Sequence, residues 1–241
     1  PGSPTALTGW GGGILEPDTV LKALEECFLA TGSPRDLTIV HALGIGDRVR
    51  RGTNHLAHKG MVKRVIGGHW TWSPTMIELV RNDEIEGYAW PGGATSQLLR
   101  EIGARRPGLV TATGLDTFVD PRHGGGKFTP SATEDLVELL TLDGREYLRY
   151  KPFPVVVAIV RGDSIDPSGN VTCSGEAAQL DALAVAQAAK ACGGRVIVQV
   201  KNLLDRPIDP RLVHIPAVLV DDGEPPPAQW PRPTSPSTRC R

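Results

Sequence analysis

Apolar positions recur along the chain in two alternating rhythms. In EPDTVLKALEECFLATG (16–32), Val20, Leu21, Leu24 and Phe28 fall on one face, which predicts a helix that opens near Pro17 and stops at Gly32. DLTIVHA (36–42) follows as a short β-branched run, and RVIGG (64–68), IEGYAW (85–90) and GLVTATG (108–114) also read as strands. Residues 73–82 and 93–105 return to helical spacing. VELLTLDGREYLRY (137–150) sets Asp143-Gly144 between two apolar-rich runs, a hairpin signal because a type I′ turn needs positive φ at both central residues. FPVVVAIVRG (153–162) is continuously apolar, as expected of a strand covered on both faces. The alanine-rich stretch EAAQLDALAVAQAAKACGG (176–194) predicts a helix ended by Gly193-Gly194 that feeds RVIVQV (195–200) directly. Strand, helix and strand at this spacing form a βαβ unit, so the pattern predicts an α/β protein with a mostly parallel sheet.

From Asp221 the pattern breaks. Residues 221–241 hold six prolines and little to bury, which predicts an extended or disordered tail behind a single domain at 1–220. Apolar residues make up 40% of the chain, enough for a sizeable core. A net charge of −1 argues against a nucleic-acid partner. No apolar run reaches the roughly 18 residues of a membrane span. Cys27, Cys173, Cys192 and Cys240 are scattered without a CxxC pair, so reduced thiols in a cytoplasmic protein are expected, not a disulfide framework or a zinc site.

Several short stretches carry candidate chemistry. TGLDTFVDPRHGGGKF (113–128) gathers Arg122, His123, Lys127 and three consecutive glycines. It departs from a phosphate-binding P-loop, because Phe128 stands where a Ser or Thr would hold magnesium and Pro121 where the leading glycine belongs. The backbone of Gly124–Gly126 could still cradle an anion beside Arg122 and Lys127, or serve as a connector chosen for positive φ. GWGGGILEP (9–17) puts glycines ahead of a helix, but Ile14 occupies the third glycine place of a dinucleotide fingerprint. His55 and His58 lie three apart, with His69 further on, and no carboxylate sits at metal-ligand spacing, so packed or hydrogen-bonded histidines are expected. Glu176, read as opening the alanine-rich helix, is expected to cap it or meet its dipole.

Taken together these stretches resemble the N-terminal half of the family I CoA-transferases of the acetate, propionate and 3-oxoacid type. The similarity runs from about Leu7 to Val220. It is carried by GSPRDLTIVHALGIGD, RGTNHLAHKGMVKRVIGGHW, TFVDPRHGGGK, EYLRYKPFPVVVAIVRGD, GNVTCSGEAAQLDALAVAQAAKACGGRVIVQV and DPRLVHIP, in the family's order and spacing. The resemblance implies an open, mostly parallel seven-stranded α/β sheet with helices on both faces. It also implies an acyl-CoA cleft bordered by Gly11, Gly12, His69, Trp70, Gly92, Gly93, Phe118, Arg122 and Lys127.

In that family a glutamate attacks the acyl thioester, and it belongs to a Glu-Asn-Gly or Glu-Ser-Gly block in the C-terminal half or a separate β subunit. No such block occurs in these 241 residues, so no catalytic nucleophile is assigned here. The resemblance therefore implies half of a composite site: a hetero-oligomer with a β partner, no permanently bound cofactor, and coenzyme A as substrate beside an acyl group and a carboxylate. Two departures stand out. Asp116 occupies a place where glycine is usual, and Gly92 in AWPGGA replaces a glutamine whose amide reaches toward the acyl group. The second leaves thioester hydrolysis, C–C cleavage or a non-catalytic partner-binding role as alternatives to transfer.

Overall fold

The computed structural model describes residues 2–224. In chain order it contains β1 (Pro4–Leu7), α1 (Asp18–Thr31), β2 (Leu37–His41), β3 (Val62–Gly67), α2 (Pro74–Arg81), β4 (Glu86–Ala89), α3 (Gly92–Gly103), β5 (Leu109–Thr111), β6 (Val137–Leu142) and β7 (Arg145–Tyr150). There follow β8 (Val157–Arg161), β9 (Ser164–Ile165), β10 (Val171–Thr172), α4 (Ala182–Ala191), β11 (Arg195–Gln199), β12 (Asn202–Leu203) and β13 (Asp222–Glu224).

Seven strands form one sheet in the order β13-β11-β8-β1-β2-β3-β4. Every pairing in it is parallel. A parallel sheet needs both faces covered, and the alternation along each strand supplies two cores. Leu7, Ile39, Val65 and Ile159 face one side with Leu21 of α1 and Met76 and Val80 of α2. Ala6, Val40, Ile66, Ala158 and Val160 face the other, with Leu98, Leu99 and Ile102 of α3 and the alanines of α4. Small residues on α4 let it lie close to the sheet, and each fully buried Leu, Ile or Val contributes about 1.5–3 kcal/mol relative to exposure.

The segment 108–114 does become a strand, but β5 joins β7 and β6 in a separate antiparallel sheet. The hairpin turn has φ of +50° at Asp143 and +73° at Gly144, the geometry the sequence called for. One helix start is corrected. Leu180 takes φ +46° and the helix begins at Ala182, so residues 176–181 lie ahead of the helix and Glu176 does not cap it. The sheet also extends past residue 220, because β13 pairs with β11 from Ile197↔Asp222 to Gln199↔Glu224. The remainder of the expected tail, 225–241, lies outside the described residues.

Candidate active site

Chain order reverses at β1 and β8, which are neighbours in the middle of the sheet. In open α/β sheets ligands bind beyond the carboxyl ends of the strands at such a reversal. The loops leaving β1, β2, β3 and β4 all emerge at this rim and pack on one another. Gly11 lies flat on the Trp72 indole, where a Cβ would come within 2.1 Å of the ring. Gly12 N–H donates to the Gly46 carbonyl at 2.8 Å, tying the first loop to the second. The His69 ring lies against Gly44 and its Nδ1 pairs with the Thr71 hydroxyl at 2.9 Å. Arg48 stacks over Trp72 at 4.4 Å from the ring centre, a cation–π contact.

The N-terminus of α3 opens on the same rim, with Pro91 as N-cap and no side chain capping it. Its partly positive end suits an anion or a developing oxyanion. A Cβ on Gly93 would meet nothing within 4 Å, so a ligand has free approach to that backbone.

Residues 118–128 form a strap along the outer edge of β4. Ala89 N–H donates to the Gly126 carbonyl and Phe128 N–H to the Gly87 carbonyl, both at 2.8 Å. Gly126 has φ +76° and packs so closely on Trp90 that a Cβ would lie 2.8 Å from the ring. Gly126 therefore lets the strap close over an indole that is 1% exposed, after a turn in which Gly124 and Gly125 also take positive φ. Phe128 meets the buried Trp70 edge-on at 5.6 Å, joining strap to rim.

The cations of the strap are committed to carboxylates. Arg122 donates to both oxygens of Asp120, at 3.0 and 2.7 Å, and also reaches Asp116 and Glu146. The Arg122 guanidinium beside Asp120 holds that carboxyl well below the usual carboxylate range. Lys127 pairs with Asp135. Asp116 sits at φ +58°, a left-handed position, and its N–H donates to Asp120 at 3.1 Å. Its carboxylate is thus one more tie on Arg122.

The structure thus brings Gly11, Gly12, His69, Trp70, Gly92 and Gly93 to one rim and places Phe118, Arg122 and Lys127 on the flanking strap. His55 and His58 converge on Glu25, at 2.6 and 2.8 Å, while His55 also reaches Asp18 at 3.3 Å. Against burial, which lowers it, the hydrogen bonds that the ring donates to the Asp18 and Glu25 carboxylates raise the His55 pKa above its ordinary value. Among the described residues no three His, Cys, Asp or Glu side chains form a metal-binding group.

Sequence reasoning missed Glu16, Arg161 and Asp120. Arg161, the last residue of β8, bridges the Glu176 carboxylate at 2.9 Å and the Glu16 carbonyl at 3.3 Å. Glu16 is 1% exposed, and burial pushes its carboxyl up to about 7, against the hydrogen bond from Gly46. A glutamate ahead of Pro-Asp at a helix start was the available signal, but burial of its side chain is invisible to periodicity.

Fold and rim together define an α/β protein with a candidate ligand site at the strand ends. The chain belongs to the Coenzyme A transferase family, whose pattern matches residues 1–222. It is 43% identical over 216 residues to the caffeate CoA-transferase of Acetobacterium woodii, covering 89% of this chain and 40% of that one. It is 26% identical to the acetoacetyl-CoA:acetate/butyrate CoA transferase alpha subunit of Clostridium acetobutylicum, covering 87% of this chain and 86% of that subunit. A crystal structure of the acyl-CoA transferase YdiF from Escherichia coli O157:H7, a thioester complex with CoA, superposes with a TM-score of 0.91 at 39% identity, covering 95% of this chain and 45% of that one. The chain thus spans less than half the length of YdiF and of the caffeate enzyme.

Proposed function

We propose that this chain is the α half of a CoA-transferase that moves CoA between a short acyl-CoA and a carboxylic acid, with the nucleophilic glutamate supplied by a β half. One observation carries the reading: the chain matches most of the length of a relative named as an alpha subunit but less than half of YdiF and of the caffeate enzyme. The large apolar side chains left exposed on the rim loops and strap fit a partner docking there: Trp10 (47% exposed), Phe118 (58%) and Phe128 (60%).

The chemistry balances as follows. The partner carboxylate adds to the acyl thioester and expels CoA thiolate, leaving a mixed anhydride. The thiolate attacks the glutamyl carbonyl of that anhydride, releasing the first acid as carboxylate and leaving a glutamyl-CoA thioester. An acceptor carboxylate then repeats the two steps in reverse order and leaves as the new acyl-CoA. In this scheme the rim contributes oriented backbone N–H groups at the α3 N-terminus and exclusion of water. Because Gly92 offers no side-chain amide, hydrolysis and C–C cleavage remain distinct outcomes of the test.

The test is reconstitution of the full chain with a polypeptide carrying the Glu-Asn-Gly or Glu-Ser-Gly block. Acetyl-, butyryl- and hydroxycinnamoyl-CoA serve as donors, and products are resolved by chromatography. New acyl-CoA formed only by the mixture supports the reading. Free CoA would replace transfer by hydrolysis or cleavage, turnover by the chain alone would refute the divided site, and silence with a bound partner would leave a scaffold role.

A further inference from the structure

The turn after β1 is closed on itself by Trp10 N–H to the Ile14 carbonyl at 2.8 Å and Ile14 N–H to the Trp10 carbonyl at 3.2 Å. It carries Gly11 and Gly12 to the rim. What holds it there is the residue at its end. Glu16 Oε1 accepts the Gly46 N–H at 2.6 Å, while the carbonyl of the same Gly46 accepts the Gly12 N–H at 2.8 Å. The second loop is thereby gripped on both sides by the first. The grip is tight, since a Cβ on Gly9 would lie 3.0 Å from Glu16 Cγ. Arg161 fixes the Glu16 backbone to the end of β8. Among the described residues the other carboxyl oxygen, Oε2, is buried without a partner.

We propose that Glu16 is a positioning residue of the composite site, a clasp that sets the glycine turn after β1 against the loop after β2 in its neutral, protonated form. The inference rests on the transferase reading only for its effect on turnover.

The surroundings explain why the neutral acid is the working form. Asp18 of α1 and Asp47 of the second loop face Glu16 with negative charge and, after burial itself, push its pKa up to about 7. The nearby cations are spent elsewhere. Arg51 lies toward Asp18, His55 of the 52–56 turn bonds Asp18, and Arg161 gives its guanidinium to the Glu176 carboxylate and to the Glu16 carbonyl, not its carboxyl. An ionised Glu16 would be a buried charge with no counter-ion among the described residues, a state that favours opening of the turn. Glu16 sits beneath the rim and acts through Gly46 and Gly12.

The test follows the amides of Gly46 and Gly12 by NMR in the isotope-labelled full chain between pH 5 and 9, for wild type and Glu16→Gln. The wild type is expected to shift at both amides with a midpoint near 7, and the glutamine variant to show no such transition. In the reconstituted enzyme, wild-type kcat should fall roughly fivefold from pH 7 to pH 8, following the protonated fraction, and the variant should lose that limb with KM unchanged. A flat wild-type response at Gly46 overturns the proposal. So does a transition that persists in the variant, which would assign it to His55. If the mixture forms no acyl-CoA, the transferase reading fails while the amide titration still decides the clasp.

Discussion

Gly92 packs against the carbonyl oxygen of Ala42, so closely that a Cβ on Gly92 would lie 2.5 Å from that oxygen and 3.2 Å from Leu43 Cδ2. Gly92 therefore holds the start of α3 down on the end of β2. It does not leave an empty slot in the rim.

Gly92→Ala is accordingly expected to cost about 1–3 kcal/mol through overpacking, read as a lower denaturation midpoint at unchanged m-value. Gly93→Ala, one residue on and facing open space, should stay within about 0.5 kcal/mol of wild type. Equal effects of the two substitutions would show that Gly92 is not pinned against Ala42. Gly92→Gln should slow transfer of short and long acyl groups alike, since the backbone must move before any side chain fits. Selective loss of long acyl groups would instead mean an enlarged pocket at this position.

Arg122→Ala should make the protein more acid-labile. Asp120 is 0% exposed, and its depressed pKa means its contribution is present above the unfolded value of roughly 3.9 and lost as pH falls through the folded one. Without the guanidinium that folded value rises, so the midpoint of acid unfolding should move to higher pH. Circular dichroism across pH 2–5 measures it, and an unmoved midpoint would mean that backbone donors alone hold Asp120.

The Asp18–His55–Glu25 cluster predicts a stability optimum on the acid side of neutrality. The His55 pKa is raised, so its contribution is full below about 6.5 and fades as pH rises through the folded value. Asp18 and Glu25 are lowered, against burial, by their hydrogen bonds with His55. Their contributions are present above roughly 4 to 4.5 and fade as pH falls through the folded values. Glu16 adds to the decline from about pH 4.5 to 7, because its folded pKa is raised. The melting temperature should therefore peak between about pH 4.5 and 6.5, and His55→Ala should lower that peak by more than it lowers the value at pH 9.

Gly126→Ala should destabilise the strap. The substitution forces a side chain into φ +76° and within 2.8 Å of the Trp90 ring, a combination expected to cost about 1–3 kcal/mol. Trp90 near-ultraviolet dichroism and protection of the Ala89 amide, which donates to Gly126, should fall together. Loss of neither would separate the strap from the β4 edge.

Much of the architecture is legible in order along the chain because its causes are local. The helical spacing of Val20, Leu21, Leu24 and Phe28, the unbroken apolar run of β8 and the Asp143-Gly144 turn each specify an element before any contact is made. The family motifs extended that reading to a parallel seven-stranded sheet. Local pattern failed where backbone exceptions ruled, as at Leu180, whose left-handed conformation delays α4 past Glu176. It also could not say that β5 would leave the parallel sheet for the hairpin, since a three-residue strand pairs with whatever edge packing offers.

The amino-acid sequence by itself determined most of the elements and the glycine-rich turns, because these depend on side chains and their neighbours along the chain. Only the tertiary structure decided what the charges do. Arg122 and Lys127 could have faced a ligand but are held by Asp120 and Asp135, and Glu16, unremarkable in sequence, is buried against Gly46. Coulomb energies and desolvation depend on distance and burial across segments far apart in the chain, and those exist only once the sheet has assembled and its loops meet at one rim.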